Sequence, residues 1–142
     1  MSEKQLQQVT GGCLCGAVQF EINGAVSSFH LCYCNRCRHN TGSAHAANIF
    51  AKPEALRWLK GEEKIQRFEL PQAKSFAKQF CRECGAPVPY INRSGAFLVI
   101  PAGSIDTPFD FASDDRIFVA EQAKWTECIA TLPTFDSYPD QF

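Results

Sequence analysis

Cys32-Tyr33-Cys34-Asn35-Arg36-Cys37 places three thiols within six residues. Two further pairs flank it: Cys13-Leu14-Cys15 and Cys81-Arg82-Glu83-Cys84, each followed by a glycine. Seven of the eight cysteines thus fall in three short clusters. A tetrahedral metal ion collects ligands in this way, two or three from one short loop, whereas a core cysteine needs no such neighbours. In Cys81-x-x-Cys84-Gly85 the two intervening residues let the loop wrap an ion. The following glycine permits a positive φ, which turns backbone N–H groups toward the sulfurs. Cys13-x-Cys15-Gly16 is a tighter version of the same design. Together these pairs offer four thiolates, enough for a closed and therefore structural zinc site.

The third cluster, Cys32, Cys34 and Cys37, has no fourth cysteine nearby. Three protein ligands and an open position are the pattern of a reactive zinc. Two other readings stand beside it. His30 or His45 could close the site and make it inert, or the thiols could be free or reversibly oxidised. An open zinc deprotonates a coordinated thiol, so the expected ligand is a thiol, and an anionic one. Arg36, Arg38 and His39 lie beside the cluster and suit carboxylates, arginine in bidentate fashion. Cys128 stands alone in an apolar stretch and is expected to be a core residue.

The rest of the chain bounds this chemistry. At 142 residues it is expected to be one domain, with residues 1–10 a polar N-terminal segment and residues 11–142 the zinc-binding domain. It is 45% hydrophobic and 20% charged, with a formal net charge of -1. That balance argues against nucleic acid as a partner, since phosphate binding needs a basic face. No apolar run approaches the ~20 residues that span a bilayer, so no membrane is expected. Met1 to Gln8 has no apolar signal-peptide core, which predicts a cytoplasmic protein with reduced thiols rather than four disulfides.

The elements that must position the thiols read as short strands. Val18, Phe20 and Ile22 alternate with Gln19 and Glu21, a half-buried strand, and Asn23-Gly24 reads as a turn after it. Val26 to Leu31 is a second strand that runs into the three-cysteine loop. Asn35 to Asn40 suits a short helical turn closed by Gly42, and Ser43 to Ala51 is β-compatible. Pro53 opens a single helical turn. Ile65 to Leu70 and Ser75 to Phe80 read as strands, the second delivering Cys81. Val88 to Ile91 is short and extended. Ala96 to Ile100 is the best candidate for a strand buried on both faces. Ile117 to Val119 and Trp125 to Ile129 are the last strands expected, before a proline-rich tail that is expected to pack as an irregular coat. The result is a mostly-β domain.

Gly12-Cys13-Leu14-Cys15-Gly16-Ala17-Val18, then Cys32 to Arg38 with Thr41-Gly42-Ser43, then Phe80-Cys81-Arg82-Glu83-Cys84-Gly85 resemble the glutathione-dependent formaldehyde-activating enzyme family, which includes the centromere protein V-like proteins. Pro101 to Asp106 and the segment from Ile117 through Phe135 resemble the family's closing stretches. The resemblance implies several small curved antiparallel sheets, a β-tent, pinned by zinc. It implies a structural zinc on Cys13, Cys15, Cys81 and Cys84, and a second, catalytic zinc on Cys32, Cys34 and Cys37. It also implies a carbon–sulfur lyase reaction like that of S-(hydroxymethyl)glutathione synthase, with a small-molecule thiol and an aldehyde as partners. The alternative from another class is a non-catalytic zinc-stabilised binding or scaffold module.

Overall fold

The computed structural model describes residues 3–141. Its strands, in chain order, are β1 (Gln5–Gly12), β2 (Gln19–Cys32), β3 (Ala46–Ala51), β4 (Leu56–Lys60), β5 (Ile65–Glu69), β6 (Ala77–Cys81), β7 (Pro87–Val88), β8 (Tyr90–Ile91), β9 (Leu98–Pro101) and β10 (Asp115–Ile117). One α-helix, α1 (Asn35–Thr41), follows β2. The protein is mostly β, with curled antiparallel sheets, as expected.

The long strand β2 organises the rest. Its first half pairs with β1 and with β4. Its second half pairs with β3, and with β10 in parallel. The order then continues through β9 to β8. A separate three-stranded sheet runs β5-β6-β7. Side chains alternate between faces within each half of β2, and a register shift between Val26 and Ser28 reverses the parity from one half to the other. Phe20, Ile22 and Phe29 enter one core together with Leu6, Ile49, Leu98 and Ile100.

Five expectations are corrected. The polar start is a strand from Gln5, with Leu6 and Val9 buried. A register shift between those two residues breaks the period of two and hides the strand in the sequence; Gln8 there takes φ 50°. Asn23-Gly24 does not turn the chain. It lies inside β2, where the Asn23 side chain accepts a hydrogen bond from the Gln8 backbone N–H and Gly24 packs close to Ala55. Leu56–Lys60, unassigned from sequence, is a strand after the single 3-10 turn at Pro53, and its Trp58 ring meets Phe20 edge-on at 6.2 Å. Trp125 to Ile129 is not a strand: 124–126 and 129–131 are 3-10 turns. Cys128 between them is exposed rather than buried, and Leu132, Phe135 and Tyr138 of the tail are also largely exposed.

The helix and β9 follow the sequence closely. Gly42 closes α1 in the left-handed conformation, its N–H bonding the Arg38 carbonyl. Leu98, Val99 and Ile100 are all buried, so β9 is covered on both faces.

Gly61 joins β4 to the β5 hairpin at φ +78°, and a Cβ there would lie 1.9 Å from the Ala17 carbonyl oxygen. Gly61→Ala combines backbone strain with a clash at rigid backbone and is expected to cost about 3 kcal/mol or more. Thermal unfolding of that variant checks it; a Tm within about 2 °C of the parent contradicts this account of the turn.

Candidate functional site

Two groups of thiols converge in the folded chain. Cys13, Cys15, Cys81 and Cys84 form one, with all four sulfurs within 4.8 Å of one another. Cys32, Cys34 and Cys37 form the other within the same limit. Among the described residues, no histidine, aspartate or glutamate joins either group. Of the two histidine candidates for a fourth ligand, His30 is engaged elsewhere, and His45 lies outside the group with its Nδ1 buried and without a hydrogen-bond partner. His30 Nδ1 lies 2.6 Å from an Asp115 carboxylate oxygen, and the His45 ring packs on Tyr33 at 5.0 Å.

The four-thiol group is built from two loops of similar design. After β1, Gly16 takes φ +80° and donates to the Cys13 carbonyl, and Val18 N–H points at Cys13 Sγ at 3.2 Å. After β6, Gly85 takes φ +77° and donates to the Cys81 carbonyl, and Glu83 N–H points at Cys81 Sγ at 3.3 Å. Sulfurs of Cys13 and Cys15 lie 3.7 Å apart, and those of Cys15 and Cys81 3.9 Å. Zinc–sulfur bonds of about 2.3 Å in a tetrahedron require about 3.8 Å between sulfurs. The donor set and its spacing therefore fit zinc. Val18, Val88 and the stem of the Cys81 loop pack behind the group.

Without a cation these thiols cannot ionise together. The Ala86 backbone pulls Cys84 down to about 6. The Ala17 backbone favours a Cys15 thiolate, but desolvation and the neighbouring thiols outweigh it and push Cys15 up to about 11. Such spreading marks like charges competing for one space.

The three-thiol group is arranged by β2 and α1. Cys32 ends β2 on the face opposite Leu31. Cys34 is the N-cap of α1, and its sulfur accepts from Cys37 N–H at 3.4 Å. Cys37 lies in the first turn and faces inward. Ala46, Phe76 and Ile117 pack around the three sulfurs. Burial, foremost, pushes the Cys32 and Cys37 thiols up. At Cys34 burial acts in the same sense, but the N–H of Cys37 and the neighbouring sulfurs prevail and lower it. A three-sulfur donor set on a helix N-terminal turn also suits zinc, and leaves room for one further ligand.

A groove of about 500 Å³ runs along α1, lined by Asn35, Arg36, His39 and Lys78 and by the rings of Phe68, Phe76 and Phe80. Phe76 belongs both to this groove and to the packing of the three sulfurs. Arg36 and His39 thus stand in the groove as the sequence suggested. Arg38 does not: it bonds the Asn35 side chain at 3.1 Å and lies toward Trp125. Lys78 and the aromatic wall were not singled out from sequence, because their approach to α1 depends on how the β5-β6 hairpin folds back. Tyr90 was missed because its placement depends on the pairing of β8 with β9. It projects from β8 on the face that carries Cys32, and burial, with the Cys37 sulfur adding to it, pushes its hydroxyl up to about 12.

Comparison with known proteins gives two findings. The family model described as glutathione-dependent formaldehyde-activating enzyme matches residues 8–121. A Rhodobacter sphaeroides protein of known crystal structure has a similar fold, with a TM-score of 0.57 and 24% identity over 75% of this chain and 98% of that one.

Cys128 is the one cysteine outside both groups, and it is exposed. One thiol equivalent should react rapidly with a disulfide reagent in the native, metal-loaded protein, and Cys128→Ser should remove it. Rapid reaction of several thiols under the same conditions would contradict the clustering.

Proposed function

Since the chain belongs to the glutathione-dependent formaldehyde-activating enzyme family, we propose that it is a zinc-dependent, carbon–sulfur lyase-type enzyme acting on a glutathione-like thiol and an aldehyde, in the manner of S-(hydroxymethyl)glutathione synthase. The observation that carries this reading is the three-thiol group with no fourth ligand, beside a cationic groove. In this reading Cys13, Cys15, Cys81 and Cys84 hold a structural zinc. Cys32, Cys34 and Cys37 hold the second, which would supply the positive charge that keeps a substrate thiol deprotonated near neutral pH.

The chain's own residues do the rest. Arg36 and Lys78 offer charge, and His39 a ring nitrogen, to the carboxylates of a glutathione-like peptide, and the phenylalanine wall of the groove covers its apolar stem. Phe76 and Ala46 limit water around the sulfurs, which strengthens every charge interaction there. The bound thiolate forms a bond from sulfur to the aldehyde carbon. The carbonyl oxygen takes up the electron pair and then a proton from water, giving a hemithioacetal. The cytoplasm, where thiols stay reduced, suits this chemistry.

Elemental analysis of protein purified with reductant should give about two zinc per chain. Cys34→Ser should lose one of them and all thiol-dependent turnover with formaldehyde, while the fold persists. Cys81→Ser should fail to fold stably, since a structural zinc contributes about 10 kcal/mol or more, comparable to a domain's whole stability. Full turnover in Cys34→Ser would refute the proposal. A single zinc that stays single after metal is offered back would favour a binding module without chemistry.

A further inference from the structure

We propose that the side-chain amide of Asn48 is the hydrogen-bond donor that steadies the oxyanion formed when a thiolate adds to the aldehyde. The inference rests on reading the three-cysteine group as the reaction site, and it adds a residue to that site.

Strand register places Asn48 there. Cys32 on β2 lies opposite Ala46 on β3, and His30 lies opposite Asn48. Directly opposed residues of an antiparallel pair share a face, so Cys32, His30, Ala46 and Asn48 project to the same side. Asn48 is the diagonal neighbour of Cys32 across the pair, which sets the two about 7–8 Å apart. An asparagine side chain spans much of that gap. The same face continues through Phe50, Val99 and Tyr90, while Phe29, Leu31 and Ile49 turn to the core behind it.

Three further observations select Asn48 from its neighbours. It is half-buried, and its amide has no hydrogen-bond partner among the described residues. The amide is not sealed from solvent, so it is open to an incoming ligand. His30 beside it is already held by Asp115. Tyr90 faces the same side but lies opposite Val99, two strands away from β3. Arg36, Lys78 and the His39 ring belong to the groove along α1, which the proposed reading gives to the substrate carboxylates. Asn48 is left as a neutral, unpartnered donor on the β2-β3 face that carries Cys32. Its N–H pair needs no titration and donates at any pH.

The step balances as an addition. The thiolate sulfur donates an electron pair to the aldehyde carbon, and the carbon–oxygen π pair moves onto oxygen. Asn48 donates a hydrogen bond to that alkoxide without giving up its proton. Water then protonates the oxygen, and the product is the hydroxymethyl thioether. An asparagine amide in this role acts more strongly on the charged oxygen than on the ground-state carbonyl, so it lowers the barrier rather than the substrate's dissociation constant.

The test uses the zinc-loaded protein with glutathione and formaldehyde. Asn48→Ala should lower kcat by about 10²- to 10³-fold, the usual loss for one oxyanion donor. Zinc content, Tm and the glutathione Kd measured by calorimetry should stay within about twofold, or a few degrees, of the parent. Asn48→Asp, close in shape but an acceptor, should be as slow or slower, and Asn48→Gln should recover part of the rate. A kcat for Asn48→Ala within about threefold of the parent overturns the inference and leaves the proposed reaction standing. A raised KM or glutathione Kd at unchanged kcat also overturns it, by making Asn48 a binding residue. If the parent protein itself neither binds glutathione nor turns over formaldehyde, the underlying reading fails and the inference with it.

Discussion

Four thiols in mutual contact cannot all ionise unless a cation lies among them, and the fold brings four thiols into contact. Cys13 and Cys15 come from the end of β1. Cys81 and Cys84 come from the end of β6, far along the chain. Between them lie the whole of β2, the helix and the β5 hairpin. Joining these two loops fixes where the small β5-β6-β7 sheet sits against the larger one, and hence where Phe76, Phe80 and Lys78 meet α1. Zinc at this point would close a long loop as a disulfide does, without an oxidant.

The second constraint is the double use of β2. Its inward residues, Phe20, Ile22 and Phe29, fill a core that β1, β3, β4 and β9 share. Its outward residues toward the C-terminal end, His30 and Cys32, lie on the face that carries the three-thiol group. A strand held on both sides by other strands is rigid, and so are the positions of its side chains. α1 begins three residues after Cys32, capped by Cys34 itself, so the helix start is also part of the three-thiol group. Stability and chemistry therefore come from one set of hydrogen bonds rather than from separate parts of the molecule.

The sequence carried the local part of this arrangement. The spacing of the seven cysteines follows from how short a loop must be to turn two sulfurs toward one point. The alternation of Val18, Phe20 and Ile22, the helix stop at Gly42 and the apolar run of β9 are likewise properties of neighbouring residues. What was not legible depended on residues far apart. β1 shows only Leu6 and Val9 because a bulge shifts its period, and Asn23-Gly24 serves that bulge instead of a turn. Cys128 sits in an apolar stretch, yet it falls between two 3-10 turns that pair with no strand among the described residues. Asn48 and Tyr90 approach the sulfurs only through the registers of β2 with β3 and of β9 with β8. A single sequence does not state those registers.

The central claim is that one thiol group is closed and the other is open to a thiol from outside. X-ray absorption at the zinc edge measures the sulfurs around each metal directly. The account predicts an average of about 3.5 sulfurs per zinc in the protein as purified, one site with four and one with three plus a lighter atom. Adding glutathione should raise the average to about four, as the substrate sulfur takes the remaining position. An average that glutathione does not change would contradict the claim, and would mean that the second site is filled by the protein itself or holds no metal.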